Sequence, residues 1–285
     1  MSQELLDEIV GLLDIEELEV NLFRGHNPDE DRPRVFGGQV AAQALVAAER
    51  TVPEDRTVHS LHSYFLRPGN MNAPIVYSVD RIRDGGSFIT RRVVAHQHGE
   101  AIFNLSASFH KTESGLEHAL SMPDVPDPET LPTARERMIN MYGDKVIPRL
   151  LRDRPVDIRW CDEPGWKPEP GQEPKGNIWM RADGKLPDDP SVHRAVLVYC
   201  SDYTLMETVM RPHGVHWMNA NVKMAASLDH CLWFHHPMRA DSWWLYSQDS
   251  PAATGARGLA RGSIYTRDGL LVASVAQEVL LRIGS

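Results

Sequence analysis

The sequence predicts an α+β protein made of two tandem copies of one unit, each an antiparallel sheet wrapped round a central buried helix. Three observations carry this: a repeat of pattern between residues 59–110 and 226–281, a strongly apolar helical stretch ahead of each copy, and tight-turn residues inside each. In the repeat, Ser60-Leu61 aligns with Ser227-Leu228, Tyr77-Ser78 with Tyr246-Ser247, Arg91 with Arg261, and Gly99-Glu100 with Gly269-Leu270, at an offset drifting from 167 to 170 residues. Such self-similarity is the mark of one supersecondary unit used more than once.

The chain opens with Glu4, Asp7 and Glu8 interleaved among Leu5, Leu6 and Ile9, the pattern of an amphipathic helix. A strand is expected over 16–24. The helix over 38–51 carries Val40, Ala41, Ala42, Ala44, Leu45, Val46, Ala47 and Ala48, which leave almost no polar face, so it belongs in a core. Four strands, read as a meander, follow at 57–67, 74–83, 87–97 and 101–110, with Asp84-Gly85-Gly86 and His98-Gly99 supplying residues that tolerate positive φ. Residues 123–174 hold ten of the chain's twenty prolines and read as an exposed connector, with a short helix over 133–151. The second copy repeats the order: a strand over 176–183, an apolar helix over 191–209, and strands at 226–236, 242–250, 256–266 and 270–282. This divides the chain into a first unit over 1–115, a connector over 116–174 and a second unit over 175–285, with the boundary near residue 150.

Composition excludes several classes. With 285 residues, 42% hydrophobic and 24% charged, the chain is globular, and no window approaches the roughly 18 unbroken apolar residues of a spanning helix. A net charge of −9 without a Lys/Arg run speaks against a nucleic-acid surface. The acidic N-terminus lacks a signal-peptide pattern, Ile283-Gly284-Ser285 is no peroxisomal address, and Cys161, Cys200 and Cys231 have no CxxC spacing; a cytoplasmic location is expected. His59-x-x-His62 and His235-His236 lack a nearby third ligand, so no metal is expected. GxSxG, HExxH, GxxxxGK[ST] and GxGxxG are all absent, which leaves serine-hydrolase, metalloprotease and nucleotide-binding readings without a motif.

The informative anomalies are polar residues where the pattern buries apolar ones. On the second apolar helix, Asp202 has Val198, Tyr199, Leu205 and Met206 as its neighbours, so its carboxylate projects into an apolar stripe. Burial without a cation raises a carboxyl's pKa and makes it a competent base, although an aspartate there could equally cap a broken helix. Gln277 alternates with Ala273, Val275, Val279 and Leu281, and its aligned counterpart in the first copy is Ala107. A buried amide demands partners, so the asymmetry points to function in the second copy. Ser227, aligned with Ser60, is a third polar group close to the second helix.

The stretches Asn21-Leu22-Phe23-Arg24-Gly25, Arg34-Val35-Phe36-Gly37-Gly38-Gln39-Val40, His59 through Gly69, Ser201-Asp202-Tyr203, Leu228-Asp229-His230 with Trp233-Phe234-His235, and Ala256-Arg257-Gly258 through Gln277-Glu278 run nearly end to end. On these residues the chain resembles the acyl-CoA thioesterase II family of double hotdog enzymes. The resemblance implies hydrolysis of fatty acyl-CoA to fatty acid and coenzyme A without a cofactor, with an Asp, a Thr or Ser, and a Gln ordering the attacking water. Those roles fall on Asp202, Ser227 and Gln277. His59, at a family position, and Gly38, whose backbone amide could face a ligand at the helix start, are the substrate-binding candidates. An apolar tunnel beside the central helix is expected for the acyl chain, and arginines for the coenzyme's phosphates. Exposed sheet edges imply a homo-oligomer, dimer or tetramer. The rival readings are a non-catalytic acyl-CoA-binding protein and a hotdog enoyl-CoA hydratase, which would want a His with a carboxylate.

Overall fold

The structure, a computed structural model, describes residues 2–29, 32–143, 154–162, 170–216 and 221–284. Helix α1 (Ser2–Leu13) buries Leu6, Ile9 and Leu13 and turns its acids outward, as its amphipathic pattern requires. Where one strand is expected over 16–24 there are two, β1 (Glu16–Glu19) and β2 (Leu22–Gly25), paired as a hairpin. Asn21 makes the turn at φ 62°, a conformation asparagine tolerates better than most residues. Helix α2 (Gly37–Glu49) is buried along almost its whole length.

Strands β3 (Thr57–Phe65), β4 (Ile75–Asp84), β5 (Phe88–Gln97) and β6 (Glu100–His110) lie close to their expected bounds, but their order corrects the meander. Only β4, β5 and β6 run as neighbours; β3 pairs with β6, and β2 occupies the other side of β4. The segment between β3 and β4, with Pro68 and Pro74, is too long for a tight hairpin, so β3 is free to cross to the far edge. Helix α3 (Ala134–Tyr142) carries a capping box between Thr133 and Glu136, and the rest of the helix expected to 151 lies outside the described residues. The proline-rich stretch also supplies a strand that its composition conceals, β7 (Val156–Trp160), which pairs with β8 (Lys175–Ala182).

The long helix expected over 191–209 is broken into α4 (Pro190–Ser201) and α5 (Leu205–Met210), with Asp202 as the C-cap of α4. The strand expected over 226–236 is likewise divided, into β9 (Val222–Ser227) and β10 (Asp229–Phe234), with Leu228 between them. Strands β11 (Trp244–Thr254), β12 (Arg257–Thr266) and β13 (Leu271–Ile283) complete the second half.

Among the described residues thirteen strands form one antiparallel sheet, ordered β1-β2-β4-β5-β6-β3-β10-β13-β12-β11-β8-β7, with β9 also on β13. The two halves meet edge to edge at β3 and β10, with Leu61 opposite Leu232. Inside the curved sheet α2 and α4 pack against each other in opposite directions. Arg194 near the start of α4 donates to Glu49 at the end of α2 (2.7 Å), while Gly38 at the start of α2 abuts the Tyr199 carbonyl near the end of α4. No described helix is long and apolar enough to cross a membrane.

The ladders also revise the repeat. Both halves carry an irregularity at the same place, after Val58 in β3 and after Ser227 at the β9–β10 junction. The registers therefore match Ser227 with Val58, His230 with Leu61, Gln277 with Ala107, and Ala260 with Arg91. Ser60 is not the counterpart of Ser227, and Arg261 is that of Arg92 rather than of Arg91; the shared Ser-Leu pair and the arginines align by residue type but not by register.

Candidate active site

Asp202 sits where α4 stops. Its φ and ψ of −87° and 0° leave the helical path, so its carboxylate is held at the helix end rather than along the helix side. Strand β9 ends at Ser227 beside it, and β13 brings Gln277 from the sheet. Asp202 Oδ1 accepts from Ser227 Oγ at 3.1 Å and from Gln277 Nε2 at 3.0 Å, and Gln277 Nε2 also donates to Ser227 Oγ. Two side chains from two strands thus converge on one carboxylate oxygen at the end of α4.

The first half contributes the other wall. Gly37 and Gly38 open α2 directly against Asp202: the Gly38 amide bonds its carboxylate, and a Cβ on Gly37 would stand 2.6 Å from Asp202 Oδ2. A Cβ on Gly38 would meet the Tyr199 carbonyl oxygen at 2.3 Å, so only glycine fits there. The start of a helix carries partial positive charge, which suits a carboxylate. Even so, the protein packed around Asp202 removes most of its water, and this desolvation raises its pKa above the ordinary aspartate value, against the opposing effects of His230, Gln277, Ser227 and Gly38. As a whole, residue Asp202 is of intermediate burial rather than fully enclosed. Near it Phe36 stacks on Tyr203, and Tyr199 meets both rings edge-on, with ring centroids 5.0 to 5.7 Å apart.

The sequence reasoning missed His230. It is fully buried on β10, with Nδ1 2.8 Å from Gln277 Oε1 and Nε2 2.7 Å from Ser201 Oγ. The signal was available, because His230 precedes the inward-facing Leu232 by two residues on the same strand. His59 is not drawn into this constellation. It pairs with Ser108 Oγ at 2.8 Å and packs against Phe88 and His110 in the first half. Among the described residues no cluster of three or more His, Cys, Asp or Glu is arranged to hold a metal.

The family profile described as acyl-CoA thioesterase N-terminal domain matches residues 28–110, and that described as acyl-CoA thioesterase matches residues 154–280, the span that holds Asp202, Ser227 and Gln277. This chain belongs to the acyl-CoA thioesterase family. It is 41% identical to mouse acyl-coenzyme A thioesterase 8, over 96% of this chain and 89% of that one. It is also 35% identical to acyl-CoA thioesterase 2 of Haemophilus influenzae, over 98% of each. The crystal structure of acyl-CoA thioesterase II TesB2 from Mycobacterium marinum superposes with a TM-score of 0.81 at 43% identity, covering 97% of this thioesterase and 99% of its own chain. A hot dog fold protein from Alicyclobacillus acidocaldarius, 20% identical, has a TM-score of 0.78, a likeness of fold. The architecture is the double hotdog: two sheets joined edge to edge, each curved round its helix.

Proposed function

We propose that this acyl-CoA thioesterase cleaves fatty acyl-CoA with a water molecule held by Asp202, Ser227 and Gln277, in one site that belongs to the second half. The observation that carries the reading is the convergence of a hydroxyl and an amide on a carboxylate whose pKa burial has raised. In the first half the matching positions are Val58 and Ala107, and the Arg91 guanidinium lies buried against Thr51 and Asp84. That copy has no polar group to hold a water at those two positions.

A thioester is an activated acyl group, so water needs only to be positioned and deprotonated. The water inserts between Ser227 and Gln277, gives its proton to Asp202, and its oxygen bonds the thioester carbon. The oxyanion is received at the start of α2 by first-turn amides other than that of Gly38, which already bonds Asp202. Collapse breaks the carbon–sulfur bond, coenzyme A leaves as the thiolate, and Asp202 returns the proton to the sulfur. Phe36, Tyr199 and Tyr203 supply an apolar wall for the acyl chain. Single turnover in heavy-oxygen water tests the step: label is expected in the fatty acid alone, and label in the Asp202 carboxylate would show attack by the enzyme's own oxygen.

The His230 ring hydrogen-bonds Gln277 and Ser201 and is wholly buried, so it does not stand as the exposed acid of a hydratase. The free Cys161, Cys200 and Cys231 accord with a reducing, cytoplasmic setting. Among the described residues the sheet ends at β1 and β7, and such edges favour a homo-oligomer, dimer or tetramer; sedimentation as a single chain would exclude it.

A further inference from the structure

Gln277 has two ends, and the water site works only if the correct one faces Asp202. With Nε2 inward, it donates to both Asp202 Oδ1 and Ser227 Oγ. Turned end for end, it would set its carbonyl oxygen against a carboxylate oxygen 3.0 Å away and leave Ser227 without a donor.

We infer that His230 is a positioning residue for hydrolysis: carrying its proton on Nδ1, it holds Gln277 Oε1 and so fixes the amide with both protons toward Asp202 and Ser227. This rests on the reading of Gln277 as a holder of the water.

The geometry on both sides of the imidazole supports it. Nδ1 stands 2.8 Å from Gln277 Oε1, an atom that can only accept, so the proton between them belongs to the histidine. Nε2 faces Ser201 Oγ at 2.7 Å; that hydroxyl also lies 2.9 Å from the Val198 carbonyl, and with Nδ1 protonated it turns its single proton to the bare Nε2, the shorter of the two contacts. Ser63 on β3 donates to the His230 carbonyl at 2.7 Å and pins the backbone beneath the ring. Burial, working against the nearby Asp202 charge, lowers the imidazole's pKa, so His230 is neutral with one N–H to place. Finally, His230 and Gln277 are absent together: the first half has Leu61 and Ala107 in their places. A histidine that served only packing would not need to vary with the amide.

The test compares His230→Leu, whose side chain already fits the matching place in the first half, with His230→Asn, whose side-chain amide can present an N–H where Nδ1 stands. Thiol release from the acyl-CoA best used by the wild type is followed at matched folded concentration. His230→Leu should lower kcat at least about tenfold with KM within about twofold, and His230→Asn should recover most of the loss. In the wild type, histidine nitrogen NMR should place the His230 proton on Nδ1 with Nε2 bare, a reading that needs no stable variant. Wild-type kcat in folded His230→Leu, equal damage in both variants, or the proton on Nε2 would overturn the inference. An active Asp202→Asn would instead overturn the site reading beneath it, so the two failures are distinguishable.

Discussion

Gly38→Ala adds one methyl group at a close approach between the two halves. The new Cβ would lie 2.3 Å from the Tyr199 carbonyl oxygen and 2.6 Å from Phe36 Cε1. The phenyl ring can swing aside, but the carbonyl belongs to α4 and cannot. Carbon and carbonyl oxygen approach no closer than about 3.3 Å, so α2 must retreat from α4 by about 1 Å. Overpacking of this kind costs about 1–3 kcal/mol, and alanine's better helix propensity returns about 1 kcal/mol, leaving a net loss of at most about 2 kcal/mol. Activity should suffer far more: a 1 Å shift of the α2 amides from Asp202 is worth about 10²-fold in rate. Thiol release and thermal unfolding, measured on the same preparation, separate the two effects. Gly11→Ala in α1, where nothing lies within 4 Å of the new Cβ, is the control and should be slightly stabilised and fully active. A folded Gly38→Ala enzyme with more than half the wild-type kcat/KM would refute the proposed contact between α2 and the carboxylate.

Asp202→Asn should lower kcat about 10²-fold or more while making the protein no easier to unfold at neutral pH. The raised pKa means that the stability tied to this carboxyl is whole below the ordinary aspartate value and is lost as pH rises through the folded value. The stability gap between variant and wild type should therefore widen from acid to neutral pH, and denaturant titrations showing it narrow would contradict the assignment. The same shift sets the acid limb of wild-type kcat above the ordinary aspartate range; a pH–rate profile with its limb at or below that range would exclude Asp202 as the base. Glu49 is buried against Arg194, its pKa raised by desolvation. Arg194→Met should thus cost about 3 kcal/mol in urea unfolding and leave the activity of the folded fraction intact.

Much of the fold could be read from the chain because apolar residues recur with clear periods in α2, α4 and the strands. Pattern identifies a strand but not its neighbour, which is why β3 seemed to adjoin β4, and prolines around Val156–Trp160 hid a short alternating edge strand. Asp202 and Gln277 stood out as polar intrusions on apolar faces, and the structure brings them together with Ser227. Asp202 also takes the alternative position foreseen for it, as the cap of a broken helix, so one residue both ends α4 and presents a carboxylate. The analogy with Ser60 failed because the shared Ser-Leu pair is two residues out of register, Ser227 standing opposite Val279 as Val58 stands opposite Phe109, and that offset hid His230 as the counterpart of Leu61. His59, nominated by resemblance alone, sits among Ser108, Phe88 and His110.

The covalent union of the two halves frees each from having to resemble the other. In a homodimer of a single-unit chain, a substitution appears at both symmetry-related positions at once, so a residue that serves one role must suffice for the other. Here Leu61 and His230 occupy matching positions with opposite duties, one filling space and one polar, and Arg91 can be buried where its twin is Ala260. On the proposed reading, the first half presents a helix start and the second carries the acid–base groups. On that reading neither half is an enzyme in miniature, and a chain cut between them should regain activity only by reassembling the β3–β10 seam.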